Sequence, residues 1–218
     1  MSQNPAAGAA VAGVTPAYWD EACRELARAD PVMGGIIRSA GAVHLVSRGD
    51  PFVTLSRSVV GQQISVKAAQ TVWDRFSKAA RTVEPLRVSR MRMTTLRGCG
   101  LSERKAEYIR DLAAGFVQRR VDPERWPDLP DEAIINELTA VRGIGRWTAE
   151  MFLIFNLLRP DVLPVDDIGL LRGIGCAYGD GEKVSRAHAS QFGERWRPWR
   201  TVATWYLWRS LDPLPVEY

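Results

Sequence analysis

Six capped helix starts are the feature that most restricts how this 218-residue chain can fold. In each, an Asp, Ser or Thr precedes a proline or apolar residues spaced three or four apart, the pattern of an N-cap and a first helical turn. Alternating segments are few, and strand candidates such as residues 43–47 are short. The sequence therefore predicts an all-α protein. The starts are at Thr15, Asp50, Ser65, Ser102, Asp131 and Asp166.

Proline-bearing loops indicate how the helices are divided between two lobes. We predict a helical bundle over residues 51–159 and a discontinuous second lobe formed by residues 15–50 and 160–218. Residues 1–14 lack apolar periodicity and are predicted to be a mobile tail. A cleft between two lobes is where a ligand site is expected. The loops are residues 82–89, 121–130 and 159–166.

Composition excludes several classes of protein. With 46% hydrophobic residues the chain can bury a core, which excludes obligate disorder. The three cysteines are far apart and accompanied by two histidines, so we expect no disulfide framework, zinc site or iron–sulfur cluster. The longest apolar run, residues 151–158, is too short to cross a bilayer, and we expect a cytoplasmic protein. A net charge of +4 permits an anionic partner.

The pattern Arg-Gly-x-Gly occurs three times, and the copy at residues 142–145 differs from the others. A strong amphipathic helix follows it directly, whereas residues 97–100 look like a degenerate relative and residues 172–175 like a glycine helix ending. Glycines let the backbone adopt positive φ and approach another molecule closely. Amides at the start of the following helix can bind phosphate. Taken alone, the pattern also fits a tight turn between two helices.

Four segments together resemble the helix-hairpin-helix (HhH-GPD) DNA glycosylase superfamily. They are LTAVRGIGRWTAEMF at 138–152, LPVDDIGL at 163–170, GQQISVKAA at 61–69 and RPWRTVATWYLW at 197–208. Within the superfamily the chain is similar to the DNA-3-methyladenine glycosylase II branch, in a short form without its extra N-terminal domain. The resemblance implies two helical lobes, with the active site in the cleft between them.

The resemblance aligns Asp167 with the family's catalytic carboxylate, because Asp167 follows Trp147 by 20 residues. Breaking an N-glycosidic bond builds positive charge on the deoxyribose, and a carboxylate beneath the sugar stabilises that charge. Without the resemblance, Asp166 and Asp167 fit an N-cap and a first-turn acid. We expect Asp166 to be the cap and Asp167 the catalyst.

The resemblance also implies a substrate pocket containing Trp147, Met151 and Trp208. Bifunctional members have a lysine where this chain has Trp147, and indole cannot form a Schiff base, so we expect a monofunctional enzyme without lyase activity. Purines alkylated at a ring nitrogen are cationic and gain affinity over an indole face. Ordinary core packing is the alternative role for these aromatic residues.

Duplex DNA is the implied partner, bound by a monomer, and no cofactor is required. The target nucleotide must leave the helix, and Gln63 is expected to fill the gap. Gln62 and Gln63 could equally end one helix before Ser65 caps the next. The family's hairpin holds a monovalent cation, Na⁺ or K⁺, through carbonyls that here would be those of Thr139, Val141 and Ile144. The expected DNA-binding residues are Gln62, Gln63, Gly143, Gly145, Arg146 and Thr148.

The sequence thus predicts a monofunctional glycosylase that excises alkylated purines, such as 3-methyladenine and 7-methylguanine, in base excision repair on the bacterial nucleoid. One alternative keeps the enzyme and changes the substrate to a deaminated or etheno base. Another is a non-catalytic sensor of alkylated DNA. A third is a plain helix-hairpin-helix binding module, which would bind any duplex without lesion preference.

Overall fold

The computed structural model describes residues 13–211, which contain twelve α-helices and two short 3-10 helices and no strand. The predicted all-α class is confirmed. Most of the predicted tail, residues 1–12, lies outside the described residues. The helices are α1 Trp19–Ala29, α2 Pro31–Ala40, α3 Pro51–Gly61, α4 Val66–Ala80, α5 Pro85–Ser89, α6 Met93–Gly98, α7 Glu103–Val117, α8 Asp131–Thr139, α9 Arg146–Phe155, α10 Ile168–Tyr178, α11 Arg186–Gly193 and α12 Arg200–Leu211; the 3-10 helices are Trp126–Asp128 and Glu194–Trp196.

Three of the predicted N-caps are confirmed by side-chain hydrogen bonds. The side chain of Asp50 accepts from the amide of Val53 at 2.8 Å, and Ser65 and Ser102 make the equivalent bonds at the starts of α4 and α7. For the other three starts the predicted N-cap residue is wrong by one or more positions, although α8 does begin at Asp131. The N-caps of α1, α8 and α10 are Tyr18, Pro130 and Asp167.

The first compact unit of described residues spans 48–152. Helix α3 packs against α4 and α7, and α5 and α6 pack against α7. An aromatic chain forms part of the core, in which Phe116 lies between Phe52 and Trp126 and Trp126 also contacts Phe152. The loop predicted over residues 82–89 contains α5, because Pro85 begins a helical turn there.

The second compact unit comprises residues 13–47 and 153–211. Helix α12 packs against α1, α2 and α10. The amide of Gly13 donates to the Ser47 carbonyl, and the Ser47 amide donates to the Val14 carbonyl. These two residues, which were predicted to belong to a mobile tail, are therefore hydrogen-bonded within the second unit. The chain leaves the first unit at residue 152, inside α9, whereas the sequence placed the division at residue 159.

The interpretation of the third Arg-Gly-x-Gly copy as a helix ending is wrong. Residues 172–175 lie inside α10, which continues to Tyr178, so they do not end a helix. A side chain on Gly175 would overlap the carbonyl of Glu182. The glycine is therefore required by the close passage of a neighbouring loop.

Candidate active site

Asp167 is held in place at the start of α10. Its Oδ1 accepts hydrogen bonds from the amide of Leu170 at 2.7 Å and from the indole Nε1 of Trp208 at 2.8 Å. Trp208 stacks on Phe155 with 5.7 Å between ring centroids. Asp167 is buried, with 8% of its surface exposed. A buried carboxylate with a fixed orientation can stabilise a positive charge that develops next to it.

The roles assigned to the two adjacent aspartates need one correction. Asp167 itself caps α10, whereas Asp166 forms an exposed ion pair with Arg186 at 2.8 Å. The arginine thus neutralises the neighbour of the predicted catalyst. Gly169 is a residue that sequence reasoning missed: a Cβ there would lie 2.9 Å from the Trp208 ring and 3.0 Å from Asp167 Oδ1. Because glycine has no Cβ, the Trp208 indole can reach the Asp167 carboxylate.

A cavity of about 360 Å³ in the first unit brings together five of the predicted site residues. It lies among α3, α4 and the start of α9. Arg57 and Trp73 were not predicted, and the Arg57 guanidinium lies over the Trp73 ring at 4.7 Å. A cavity with aromatic and amide walls suits a flat heterocycle. The five predicted residues are Gln62, Gln63, Trp147, Thr148 and Met151.

Residues 62–65, which we call the wedge loop, join α3 to α4. Gln63 is exposed and has φ of 58°, so its backbone is in the left-handed region. The Gln62 amide donates to the carbonyl of Gly143 at 2.8 Å. Lys105, which the sequence did not single out, donates to the carbonyls of Val60 and Gln62 at 2.7 and 2.6 Å.

Residues 142–145, which we call the hairpin turn, lie in the connection between α8 and α9 and contain two glycines with different environments. Gly143 has φ of 88°, and a Cβ there would overlap the Tyr108 ring. A Cβ on Gly145 would meet no heavy atom within 4 Å. Gly143 is therefore required by the protein itself, whereas Gly145 leaves open space that an approaching phosphate can use.

Arg146 is engaged by two carboxylates at the start of α9. Its Nε donates to Glu150 at 3.0 Å and its Nη1 donates to Glu132 on α8, also at 3.0 Å. Hydrogen bonding to Arg146 lowers the pKa of Glu132, and the two carboxylates raise the pKa of Arg146. The guanidinium that was predicted to contact phosphate is seen to link α9 to α8.

We expect Glu132→Gln to tighten duplex binding. The change removes one of the two negative charges that pair with Arg146, so more of the arginine's positive charge remains beside the hairpin turn. The dissociation constant should fall by about twofold to fivefold near 0.05 M salt, and the difference should shrink as salt rises. Fluorescence anisotropy of a labelled duplex measures both. An unchanged or weaker affinity at low salt would show that Arg146 does not face the phosphates.

Of the residues expected to hold a monovalent cation, Thr139 ends α8, Val141 lies just beyond α8 and Ile144 lies in the hairpin turn. The amide of Ile144 donates to the Val141 carbonyl at 3.2 Å, while the Arg142 amide donates to Asp111 at 2.9 Å and so does not take up the Thr139 carbonyl. A carbonyl at the negative end of a helix fits a cation.

Among residues 13–211 no cluster of three or more His, Cys, Asp or Glu side chains could hold a metal ion. None of the helices in that range is long and apolar enough to cross a membrane.

Helices α8 and α9, joined by a glycine turn, form a helix-hairpin-helix motif, and α10, which begins at the fixed carboxylate of Asp167, follows α9 along the chain. The chain matches the HhH-GPD superfamily of base excision DNA repair proteins over residues 56–198, and it belongs to that family. The match includes the wedge loop, the hairpin turn and Asp167.

Relatives and solved structures agree with this family. DNA-3-methyladenine glycosylase 1 of Schizosaccharomyces pombe is 33% identical over 172 residues, which cover 76% of this chain and 74% of the relative. A DNA-3-methyladenine glycosidase from Bacillus halodurans superposes with a TM-score of 0.82 at 36% identity, covering 88% and 89% of the two chains. The S. pombe 3-methyladenine DNA glycosylase in complex with abasic DNA gives 0.77 at 29% identity, covering 91% and 99%.

Proposed function

We propose that this DNA glycosylase excises alkylated purines from duplex DNA and leaves an abasic site. The observation that carries the proposal is the fixed carboxylate of Asp167, with Oδ1 bonded to both Leu170 and Trp208. Membership of a family of base excision DNA repair proteins supports excision of a base as the reaction. The similar proteins from S. pombe and B. halodurans are named for 3-methyladenine, which supports an alkylated base as the substrate.

The chemistry of such substrates suits a site with one carboxylate. As the glycosidic bond breaks, the deoxyribose gains positive charge, and a carboxylate about 4 Å away stabilises it by roughly 4 kcal/mol at an effective dielectric near 20. That corresponds to about a thousandfold in rate. Alkylation at a ring nitrogen makes the attached base cationic, so it departs with the bonding electrons as a neutral molecule and this contribution can be sufficient. Indole rings such as that of Trp147 favour a cationic base by about 0.5–2 kcal/mol.

Water completes the displacement in this proposal, because no amine stands at the position of Trp147. We expect borohydride to trap no covalent adduct between the protein and lesion DNA, and the strand to remain intact until alkali is added. Gel analysis of the reaction with and without borohydride measures both. A trapped adduct, or strand cleavage at the rate of base release, would contradict a monofunctional mechanism.

The bound form of the substrate is a duplex from which one nucleotide has been extruded. Gln63 is exposed on the wedge loop, where it can fill the gap that the nucleotide leaves. Amides near Gly143 and Gly145 contact the phosphates, and the Thr139, Val141 and Ile144 carbonyls hold a monovalent cation behind them. The enzyme acts as a monomer on this asymmetric substrate and needs no other cofactor.

The experiment that tests the function is base release from duplexes bearing one defined lesion, with enzyme in excess over DNA. We expect release of 3-methyladenine and 7-methylguanine, and slower or no release of uracil and 8-oxoguanine. Tight binding of alkylated DNA without release would indicate a damage sensor. Release confined to a deaminated or etheno base would assign a different substrate, and equal binding to every duplex without release would indicate a plain binding module.

A further inference from the structure

One face of α7 holds both of the loops that carry the DNA-binding residues. Lys105, Tyr108 and Asp111 are three residues apart and therefore lie on one side of the helix. Lys105 donates to the end of α3 and to the wedge loop. Tyr108 lies against Gly143, and Asp111 accepts from the amide of Arg142, so these two side chains hold the hairpin turn.

The Lys105 ammonium bonds to the backbone just before the proposed gap-filling residue. Its two acceptors are the Val60 carbonyl, in the last turn of α3, and the carbonyl of Gln62, which shares a peptide bond with Gln63. The side chain is half-buried, and burial lowers the pKa of Lys105. An ammonium with two short bonds to carbonyls is a structural anchor rather than a mobile phosphate contact.

The Gln62 side chain adds a direct link between the two loops. Its Nε2 donates to the Gly143 carbonyl at 2.8 Å across 81 residues of sequence. Lys105 therefore fixes the wedge loop to α7, and Gln62 fixes the same loop to the hairpin turn. Both links end on Gln62, the residue directly before the left-handed backbone of Gln63.

We propose that Lys105 is a positioning residue for nucleotide extrusion, because its ammonium holds the wedge loop so that Gln63 enters the gap in the duplex. The proposal rests on the proposed glycosylase function. It assigns to Lys105 an effect on extrusion, with little effect on the affinity for undamaged duplex or on bond cleavage once the nucleotide is out.

The test compares Lys105→Met with the wild type on two substrates carrying 7-methylguanine. In one duplex the lesion is paired with cytosine, and in the other it lies opposite an abasic site, where extrusion is easier. We expect single-turnover release from the paired lesion to fall by about thirtyfold and release from the unpaired lesion by about threefold or less. Equal losses on both substrates, or no loss on either, would overturn the proposal.

A readout that does not need excision separates this proposal from the proposed function. Wild-type protein should raise the fluorescence of a duplex with 2-aminopurine at the target position, and Lys105→Met should raise it much less at saturating protein. A wild type that unstacks 2-aminopurine but releases no base would contradict the function alone. A variant with the full fluorescence rise would contradict the role of Lys105 alone.

Two further variants control for folding and charge. Lys78→Met removes an exposed lysine of α4 outside this network and should match the wild type on both substrates. Gln62→Met removes the link to Gly143 and should selectively impair the paired lesion, so the proposal stays testable if Lys105→Met does not fold. Combining the two changes should cost less than the product of their separate effects, since both act on one loop. Fully independent effects would argue against a shared role.

Discussion

Asp167→Asn is expected to lower the single-turnover rate constant for base release by about a thousandfold. The substitution replaces a carboxylate by a neutral amide of nearly the same shape, so it removes the negative charge that the proposed mechanism uses to stabilise the sugar. Trp208, Phe155 and Gly169 keep the position of the side chain. The measurement uses saturating enzyme, so that binding and product release do not limit the rate.

Folding should survive this change, because the amide oxygen of asparagine can still accept from Leu170 and Trp208. We expect the midpoint of thermal unfolding to stay within a few degrees of the wild type. Asp166→Asn is the matched control, since it breaks an exposed ion pair with Arg186 and should leave release within about threefold. Equal rates for Asp167→Asn and the wild type would refute the catalytic assignment.

Gly143→Ala should be the most disruptive single change in the hairpin turn. The new Cβ would overlap the Tyr108 ring, and alanine would have to adopt φ of 88°. Backbone strain and overpacking together should lower the free energy of unfolding by about 2–5 kcal/mol. Duplex affinity should fall by about tenfold or more, because the amides of the turn no longer lie in register. Chemical denaturation and anisotropy measure the two effects.

Gly145→Ala is the matched control for that prediction. Its Cβ would enter open space, so stability should change by less than about 1 kcal/mol. Any loss of duplex affinity in Gly145→Ala then reports how closely a phosphate approaches this position. If both alanine variants unfold like the wild type, Gly143 is not the residue that constrains the turn.

Local sequence signals predicted the helical class and several helix starts. Asp50, Ser65 and Ser102 cap the helices that follow them because an N-cap bond joins residues three apart in sequence. The same signal could have found the Asp30 cap of α2, where Asp-Pro repeats the pattern at Asp50. It could not distinguish Asp166 from Asp167, since either side chain can cap a helix that begins within one residue.

The candidate site was predictable where its residues lie in the motifs that carry the family resemblance. Trp147, Thr148 and Met151 share the start of α9 and line one cavity with Gln62 and Gln63. The bonds of Lys105 to Val60 and of Trp208 to Asp167 join positions 45 and 41 residues apart, and no periodicity encodes such partners. The glycines of the hairpin turn look alike in sequence, and they differ because Tyr108 packs against one of them.

The most direct test of the central claim is the identity of the product released from methylated duplex DNA. Chromatography of the small-molecule fraction should show free 3-methyladenine and 7-methylguanine with the wild type, an intact strand carrying abasic sites, and almost no free base with Asp167→Asn. A wild type that binds the methylated duplex but yields no free base would contradict the account, as would an Asp167→Asn variant that yields bases at the wild-type rate.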